Sequence, residues 1–245
     1  MPKYPESYAL IIPALNEAES LRVLLPQLPR EIFSQIVVVD NGSHDATLEV
    51  ARAAGVDAVR EPRRGYGQAC LSGIARLRPD TTAVAFMDAD LSDDPADLIS
   101  LVRTLESGNC ELVVGSRVRG EHESGSLTPV QRFGNWFTTC LLGWIWHVSF
   151  TDLGPLRIIR YGALARLKMR DRSFGWTVEM QARAASLGMK MTEIPVRYRC
   201  RRHGRSKVSG SLWAGMRAGC KILWTVWRCW WESRPCKSTT KAGPS

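Results

Sequence analysis

The run Val84-Ala85-Phe86-Met87, followed by Asp88-Ala89-Asp90, constrains this chain more than any other stretch. Consecutive apolar residues leave no polar face, so a strand made of them must be covered on both sides. That is the condition of a central strand in a parallel sheet. The run ends abruptly in two carboxylates one residue apart. In open α/β sheets ligands bind at the carboxyl ends of the strands, and in extended chain residues i and i+2 point the same way. Two carboxylates on one side make a hard-oxygen site for Mg²⁺ or Mn²⁺, completed by substrate phosphates. A D-x-D pair alone fits a loop that leads into the next helix equally well, so the neighbouring stretches decide.

Those stretches repeat one pattern through the first half. Ala9-Leu10-Ile11-Ile12-Pro13, Ile36-Val37-Val38-Val39-Asp40, Ala58-Val59-Arg60-Glu61 and Leu112-Val113-Val114-Gly115-Ser116-Arg117 read as strands. Helical stretches separate them: Asn16 to about Leu28, Asp45 to Ala54, the segment after Gly67 to about Leu77, and Pro95 to Glu106. Such alternation predicts a Rossmann-like α/β fold, a mostly parallel sheet with helices on both faces.

The second half reads differently. Thr128 to about Val148 is a helix rich in aromatics (Trp136, Phe137, Trp144, Trp146), with Arg132 and His147 flanking an apolar part too short to span a bilayer. A turn at Asp152-Leu153-Gly154-Pro155, a helix from Thr177 to Leu187 and a strand at Ile194 to Tyr198 follow, then a basic loop from Arg199 to Lys207. Arg199 and Arg201 in that loop read as plain solvated charge. The last helix, Ser211 to Glu232, gathers Trp213, Met216, Leu223, Trp224, Trp227, Trp230 and Trp231 on one broad face, with Arg217, Lys221 and Arg228 beside it. An amphipathic helix of this kind suits a membrane interface, and the same face would also serve for packing on the domain or on a partner. The polar tail from 233 to 245 is expected to be disordered. The expected organisation is one domain over 1–210, with a first half to about 120 and a second half to 210, then the amphipathic helix at 211–232.

Charge separates the two halves. Residues 1–120 hold 12 Lys and Arg against 17 Asp and Glu, whereas 121–245 hold 21 against 7. The basic half calls for an anionic neighbour: phosphate, anionic lipid or nucleic acid. The N-terminus lacks the apolar core of a signal peptide, and the seven scattered cysteines form no C-x-x-C pair, so a reducing, cytoplasmic setting at the membrane periphery is expected.

Glu17, Asp40 and the Asp88/Asp90 pair place acceptors along the strand ends. No G-x-G-x-x-G follows the first strand and no Walker sequence occurs, which argues against dinucleotide and P-loop chemistry. Acceptors for a base, a ribose and a metal ion, opposite a basic half, suit a nucleotide diphosphate that carries a leaving group.

Ile11-Ile12-Pro13-Ala14-Leu15-Asn16-Glu17, Val37-Val38-Val39-Asp40-Asn41-Gly42-Ser43, Arg64-Gly65-Tyr66-Gly67, Met87-Asp88-Ala89-Asp90 and Gly115-Ser116-Arg117 stand in the order and spacing of family 2 glycosyltransferases of GT-A fold, which the chain resembles over about residues 8–210. Asp152-Leu153-Gly154 extends the match, and His203-Gly204-Arg205-Ser206-Lys207 is similar to a signature of the dolichyl- and polyprenyl-phosphate sugar synthase branch. The resemblance implies a metal-dependent inverting transfer from a nucleotide-sugar donor to a polyprenyl phosphate or other membrane acceptor. It implies that Pro13, Asn16 and Glu17 line the nucleoside pocket with Asp40 on the base, and that Arg64 and Gly67 lie near base or diphosphate. Asp88 would touch ribose or metal, and Asp90 the divalent cation, Mg²⁺ or Mn²⁺. Arg117 and Arg132 would face sugar and diphosphate. Arg202, Arg205, Ser206 and Lys207 would hold diphosphate or acceptor phosphate. Asn41 replaces a common second Asp, and Ser92 stands where the polyprenyl branch often has Gln. A hydroxyl acceptor would need a base, for which Asp152 and Glu179 are the candidates, beside their simpler roles as a turn cap and a first-turn helix acid. The competing readings are a nucleotidyltransferase, which would carry a Gly-rich phosphate loop after the first strand, and a non-catalytic membrane or nucleic-acid binder, which leaves the ordered carboxylates unexplained. No nucleic-acid partner is expected.

Overall fold

In the computed structural model, which describes residues 7–201 and 212–234, the apolar runs form one seven-stranded sheet. The strands are β1 (Tyr8–Ala14), β2 (Phe33–Asp40), β3 (Asp57–Arg60), β4 (Ala83–Phe86), β5 (Leu112–Ser116), β6 (Arg157–Arg160) and β7 (Met191–Pro195). Their order is β3-β2-β1-β4-β6-β5-β7. β1 pairs in parallel with β2 and β4, β2 with β3, and β5 with β7. β6 lies antiparallel between β4 and β5. All the others therefore point one way, and their carboxyl ends share an edge with the amino end of β6.

The helices are α1 (Ala18–Leu24), α2 (Thr47–Ala53), α3 (Tyr66–Ile74), α4 (Asp97–Glu106), α5 (Pro129–Trp146), α6 (Tyr161–Leu167), α7 (Trp176–Ser186) and α8 (Leu212–Ser233). Successive β1 residues serve opposite faces, as the two-residue strand period requires. Leu10 and Ile12 join Leu21, Leu24, Ala51, Leu98 and Leu101 under α1, α2 and α4. Ile11 joins Ala69, Cys70, Leu164, Trp176 and Met180 under α3, α6 and α7. Burying each large aliphatic chain stabilises the fold by about 1.5–3 kcal/mol as an upper bound. α8 packs on α7 and α5 outside that second layer.

The mostly parallel sheet with helices on both faces is as expected. Three details differ. β6 and α6 were not expected, and β7 begins at Met191, three residues before the predicted strand. β6, which comes after β5 in the chain, threads between β4 and β5. The cations on α8 also differ. Lys221 pairs with Asp171 at 2.8 Å and Arg228 with Glu179 at 2.7 Å, so they fasten the helix to the domain instead of bordering its free face. Val226 and Cys229 are buried on the docked side, while Leu223, Trp224, Trp227 and Trp231 are exposed on the other. Among the described residues, no helix is long and apolar enough to cross a membrane. The expected phosphate-loop residues Arg202, Arg205, Ser206 and Lys207, and the tail beyond Arg234, lie outside the described residues.

Candidate active site

β4 delivers Asp88 and Asp90 to the shared strand edge. Met87 still donates to the Ile11 carbonyl at 3.2 Å, and the chain then turns through Leu91, whose φ of 64° is left-handed. A leucine pays steric strain there, and the turn is held because Asp90 Oδ1 accepts from Ser92 N at 3.0 Å. The other Asp90 oxygen accepts from Arg201, which also reaches Glu17 at 3.5 Å. Asp88 Oδ1 is buried with no hydrogen-bond partner. Burial, and then the charge of Asp90, push Asp88 up to about 7.

This donor set fits a hard divalent cation: two carboxylates, one of them with a buried oxygen lacking a partner. Among the described residues no group of three His, Cys, Asp or Glu is arranged to hold a metal, so phosphate oxygens and water would supply the remaining positions, as is usual for Mg²⁺. Asp93 was not predicted. It is 1% exposed and neither carboxylate oxygen has a partner. Burial, then the charges of Asp88 and Asp90, push it well above the ordinary carboxylate range. Its only sequence signal is a third acid close behind the D-x-D pair.

The ends of β1 and β2 are tied to each other. Ala14 lies opposite Asp40 in the register, and Pro13 opposite Val39. Asn16, left-handed at φ 54°, donates its backbone N–H to Ser43 Oγ at 2.8 Å and accepts from His44 N at 2.9 Å. Glu17 N donates to Thr47 Oγ1 at 2.9 Å, and the Glu17 carboxylate accepts from Ser20 at 2.8 Å. Asp40 accepts from Ser43 N at 2.9 Å. Asn41 uses its amide fully: Nδ2 donates to the Arg63 carbonyl at 2.7 Å and Oδ1 accepts from Gly65 N at 2.8 Å. An aspartate could not donate, so asparagine fixes the 63–65 segment here. Arg64 is exposed on that segment, 2.9 Å from His44 Nε2.

A Cβ at Gly67 would stand 2.0 Å from the Asp171 carbonyl oxygen, so the close approach of the 171–173 loop requires glycine there.

The far side of the edge is held by ions. Asp152 is fully buried. Its Oδ2 accepts from Arg117 N at 2.7 Å and Nε at 2.8 Å, and its Oδ1 from Arg117 Nη2 at 2.7 Å and Leu153 N at 2.7 Å. Burial opposes the Arg117 charge, but the hydrogen bonds and charge of Asp152 outweigh it and push Arg117 up. The guanidinium lies 4.9 Å from the centre of the Tyr198 ring. Glu193 in turn accepts from Thr151 N and Asp152 N. Arg157, fully buried, donates to the Thr177 carbonyl at 3.0 Å and to those of Leu153 and Gly154, and burial pushes it down to about 10.

Neither candidate base has a free carboxylate. Asp152 is saturated as described. Glu179 accepts from Arg170 N and Asp171 N on one oxygen and from Arg183 and Arg228 on the other. Glu179 therefore clasps α7, α8 and the 170–171 turn, a role that needed Arg228 to be seen nearby. Arg132 is exposed in the first turn of α5, behind a Thr128–Gln131 capping box. Arg199 and Arg201 are not plain solvated charge: Arg199 pairs with Asp94 at 2.7 Å, and Arg201 with Asp90 and Glu17.

Residues 9–168 match the model of Glycosyl transferase family 2. An uncharacterized glycosyltransferase of Mycobacterium tuberculosis is 39% identical over 209 residues, 84% of this chain and 92% of that protein. Glucosyl-3-phosphoglycerate synthase from M. tuberculosis, solved with Mn²⁺, UDP and glucosyl-3-phosphoglycerate, superposes with a TM-score of 0.73 at 17% identity over 95% of this chain and 82% of that one. Its complex with Mg²⁺ and UDP gives 0.74 at 18% identity, with the same coverage. At that identity the superposition speaks for the fold alone, which is GT-A. With most of its length matched both by the family model and by a relative of this similarity, the chain belongs to glycosyltransferase family 2.

Proposed function

We propose that this protein is a metal-dependent inverting glycosyltransferase that moves a sugar from a nucleotide-diphosphate donor to a membrane-associated acceptor, most simply a polyprenyl phosphate. The observation that carries the donor side is the Asp88/Asp90 pair at the end of the central strand, Asp90 buried and Asp88 half-buried, with a buried Asp88 oxygen lacking a partner. Asp88 and Asp90 would hold Mg²⁺ or Mn²⁺, which when bound neutralises charge on the departing diphosphate. Asn16, Glu17 and Asp40 close the side where β1 and β2 end, which suits the nucleoside. Arg117, fixed in place by Asp152, offers a preorganised positive charge toward the site, the form of electrostatic help that costs no reorganisation. The named complexes of glucosyl-3-phosphoglycerate synthase contain UDP with Mn²⁺ or Mg²⁺, which supports a similar donor here.

Two observations favour an acceptor that is already an anion at a membrane. Asp152 and Glu179 have every carboxylate oxygen engaged, and a phosphate acceptor needs no base. α5 and α8 touch each other; α5 exposes Phe133, Trp136, Phe137 and Trp144, and α8 exposes Trp224, Trp227 and Trp231. Tryptophan-rich helix faces of this size suit the headgroup boundary, which would seat the protein peripherally on the cytoplasmic side of a membrane. The test is a partition assay: protein, Mn²⁺, source membranes and a panel of labelled nucleotide sugars, followed by organic extraction. Label from one donor should enter the organic phase, and should not with Asp90→Asn. Label found only in water-soluble product would reject the lipid acceptor.

A further inference from the structure

We infer that Arg201 and the catalytic divalent cation compete for one oxygen of Asp90, so that the cation displaces the guanidinium and frees it for the donor's diphosphate. The inference rests on the reading of Asp88 and Asp90 as the cation site. Asp90 has two oxygens: Oδ1 is committed to Ser92 N at 3.0 Å, inside the turn that shapes the site, and Oδ2 accepts from Arg201 Nη2. Oδ2 is the oxygen outside that turn, and Arg201 sits on it, so a cation taking Oδ2 meets the guanidinium there. The second arm of the guanidinium rests on Glu17 Oε1 at 3.5 Å, so Arg201 bridges the end of β1 to the turn after β4, across the mouth of the edge. It is the partly exposed member of these pairs, at 26% against 7% for both carboxylates, and is thus the group with room to move.

The exchange needs only a side chain. Arg199 N donates to the Ser92 carbonyl and Cys200 N to Glu123, each at 2.8 Å, so the backbone just before Arg201 is anchored. A guanidinium does not leave by losing its proton; it leaves when another positive charge replaces it. Once released, its planar fork of donors matches phosphate oxygens. A cation arriving with a nucleotide diphosphate then replaces one positive charge on Asp90 with another and supplies Arg201 with a new anion. Cation and diphosphate binding become positively coupled through this one residue.

The test titrates Mn²⁺ alone into the full chain and reads free Mn²⁺ by electron paramagnetic resonance. Wild type should bind and Asp90→Asn should not. Arg201→Gln should bind Mn²⁺ more tightly, by about threefold to fivefold, because a competitor near the upper end of ion-pair strength is gone. Arg199→Gln removes the same charge two residues away, from Asp94, and should leave the affinity within about twofold. Arg201→Lys keeps the charge and loses the fork, and should fall between wild type and Arg201→Gln. A misfolded variant would bind less, so a gain cannot arise from damage. Unchanged or weaker Mn²⁺ binding in both Arg201 variants overturns the inference while leaving the cation site standing. Equal tightening in Arg199→Gln also overturns it, since long-range charge then accounts for the effect. No Mn²⁺ binding by wild type overturns the cation site and this inference together.

Discussion

Replacing Asp152 with asparagine separates the base that the sequence allowed from the anchoring role that the structure gives this residue. The structure makes it the anchor of Arg117: the pair is bidentate, with the Asp152 side chain at 0% and Arg117 at 15% exposure. Removing one partner of a buried pair leaves an uncompensated charge and costs about 3–5 kcal/mol. Asparagine keeps an acceptor for Arg117 N or Leu153 N, which places the expected loss at the lower end, about 3 kcal/mol. For a chain of this size that is a fall of roughly 6–10 °C in Tm. The assay is a thermal melt followed by calorimetry, alongside kcat/KM. In the double-mutant cycle with Arg117→Met, the coupling should be at least about 1 kcal/mol, as for groups in direct contact. A general base would behave differently, losing roughly 10²–10⁴ in rate with an unchanged melt. Wild-type stability in Asp152→Asn together with a rate loss of that size would refute the anchoring argument.

Further outcomes follow from the same packing. Glu179→Gln should loosen α8, because Arg228 and Arg183 lose their charged acceptor; we expect a loss of about 3 kcal/mol and new protease cleavage within 212–234. Glu61 is held down to about 2, against 4.5 ordinarily, first by the Ser72 hydroxyl and also by Gln68 and Arg63, which together outweigh burial. A carboxylate lowered in the folded state stabilises fully above 4.5 and loses that contribution as pH falls toward 2, so Glu61→Gln should flatten the acid limb of an unfolding-versus-pH curve between those values. Gly67→Ala puts a Cβ 2.0 Å from the Asp171 carbonyl oxygen and should lower stability before it affects nucleotide affinity, as read by melting and by nucleotide titration of the folded fraction.

The strands of the first half were legible because burial on both faces leaves an unbroken apolar run, and because each run ends where a turn or acid begins. β6 was not. Its four residues, Arg157 to Arg160, are two isoleucines between arginines, which reads as neither alternation nor an apolar run. Its place between β4 and β5 depends on pairings that no local pattern encodes. The D-x-D pair and its position at a strand end could be read from spacing. The partners of the charged residues could not: Arg201 meets Asp90 across 111 positions and Arg228 meets Glu179 across 49. For the same reason Lys221 and Arg228 looked like the border of a membrane face. Helical periodicity places them beside the tryptophans, and only the packed structure shows that Asp171 and Glu179 wait on the docked side. In the sequence Asp93 is one more acid ahead of a helix, and only its burial without a partner distinguishes it.

The central claim is that Asp88 and Asp90 form the cation site of a nucleotide-sugar transfer. Its most direct test measures nucleoside diphosphate release from a panel of nucleotide sugars in the presence of source membranes, for wild type with and without chelator and for Asp90→Asn. Turnover of one donor, lost by at least about 100-fold in Asp90→Asn and with chelator, is the predicted result, in line with removal of a main electrostatic stabiliser. Undiminished release in both Asp90→Asn and chelator would contradict it.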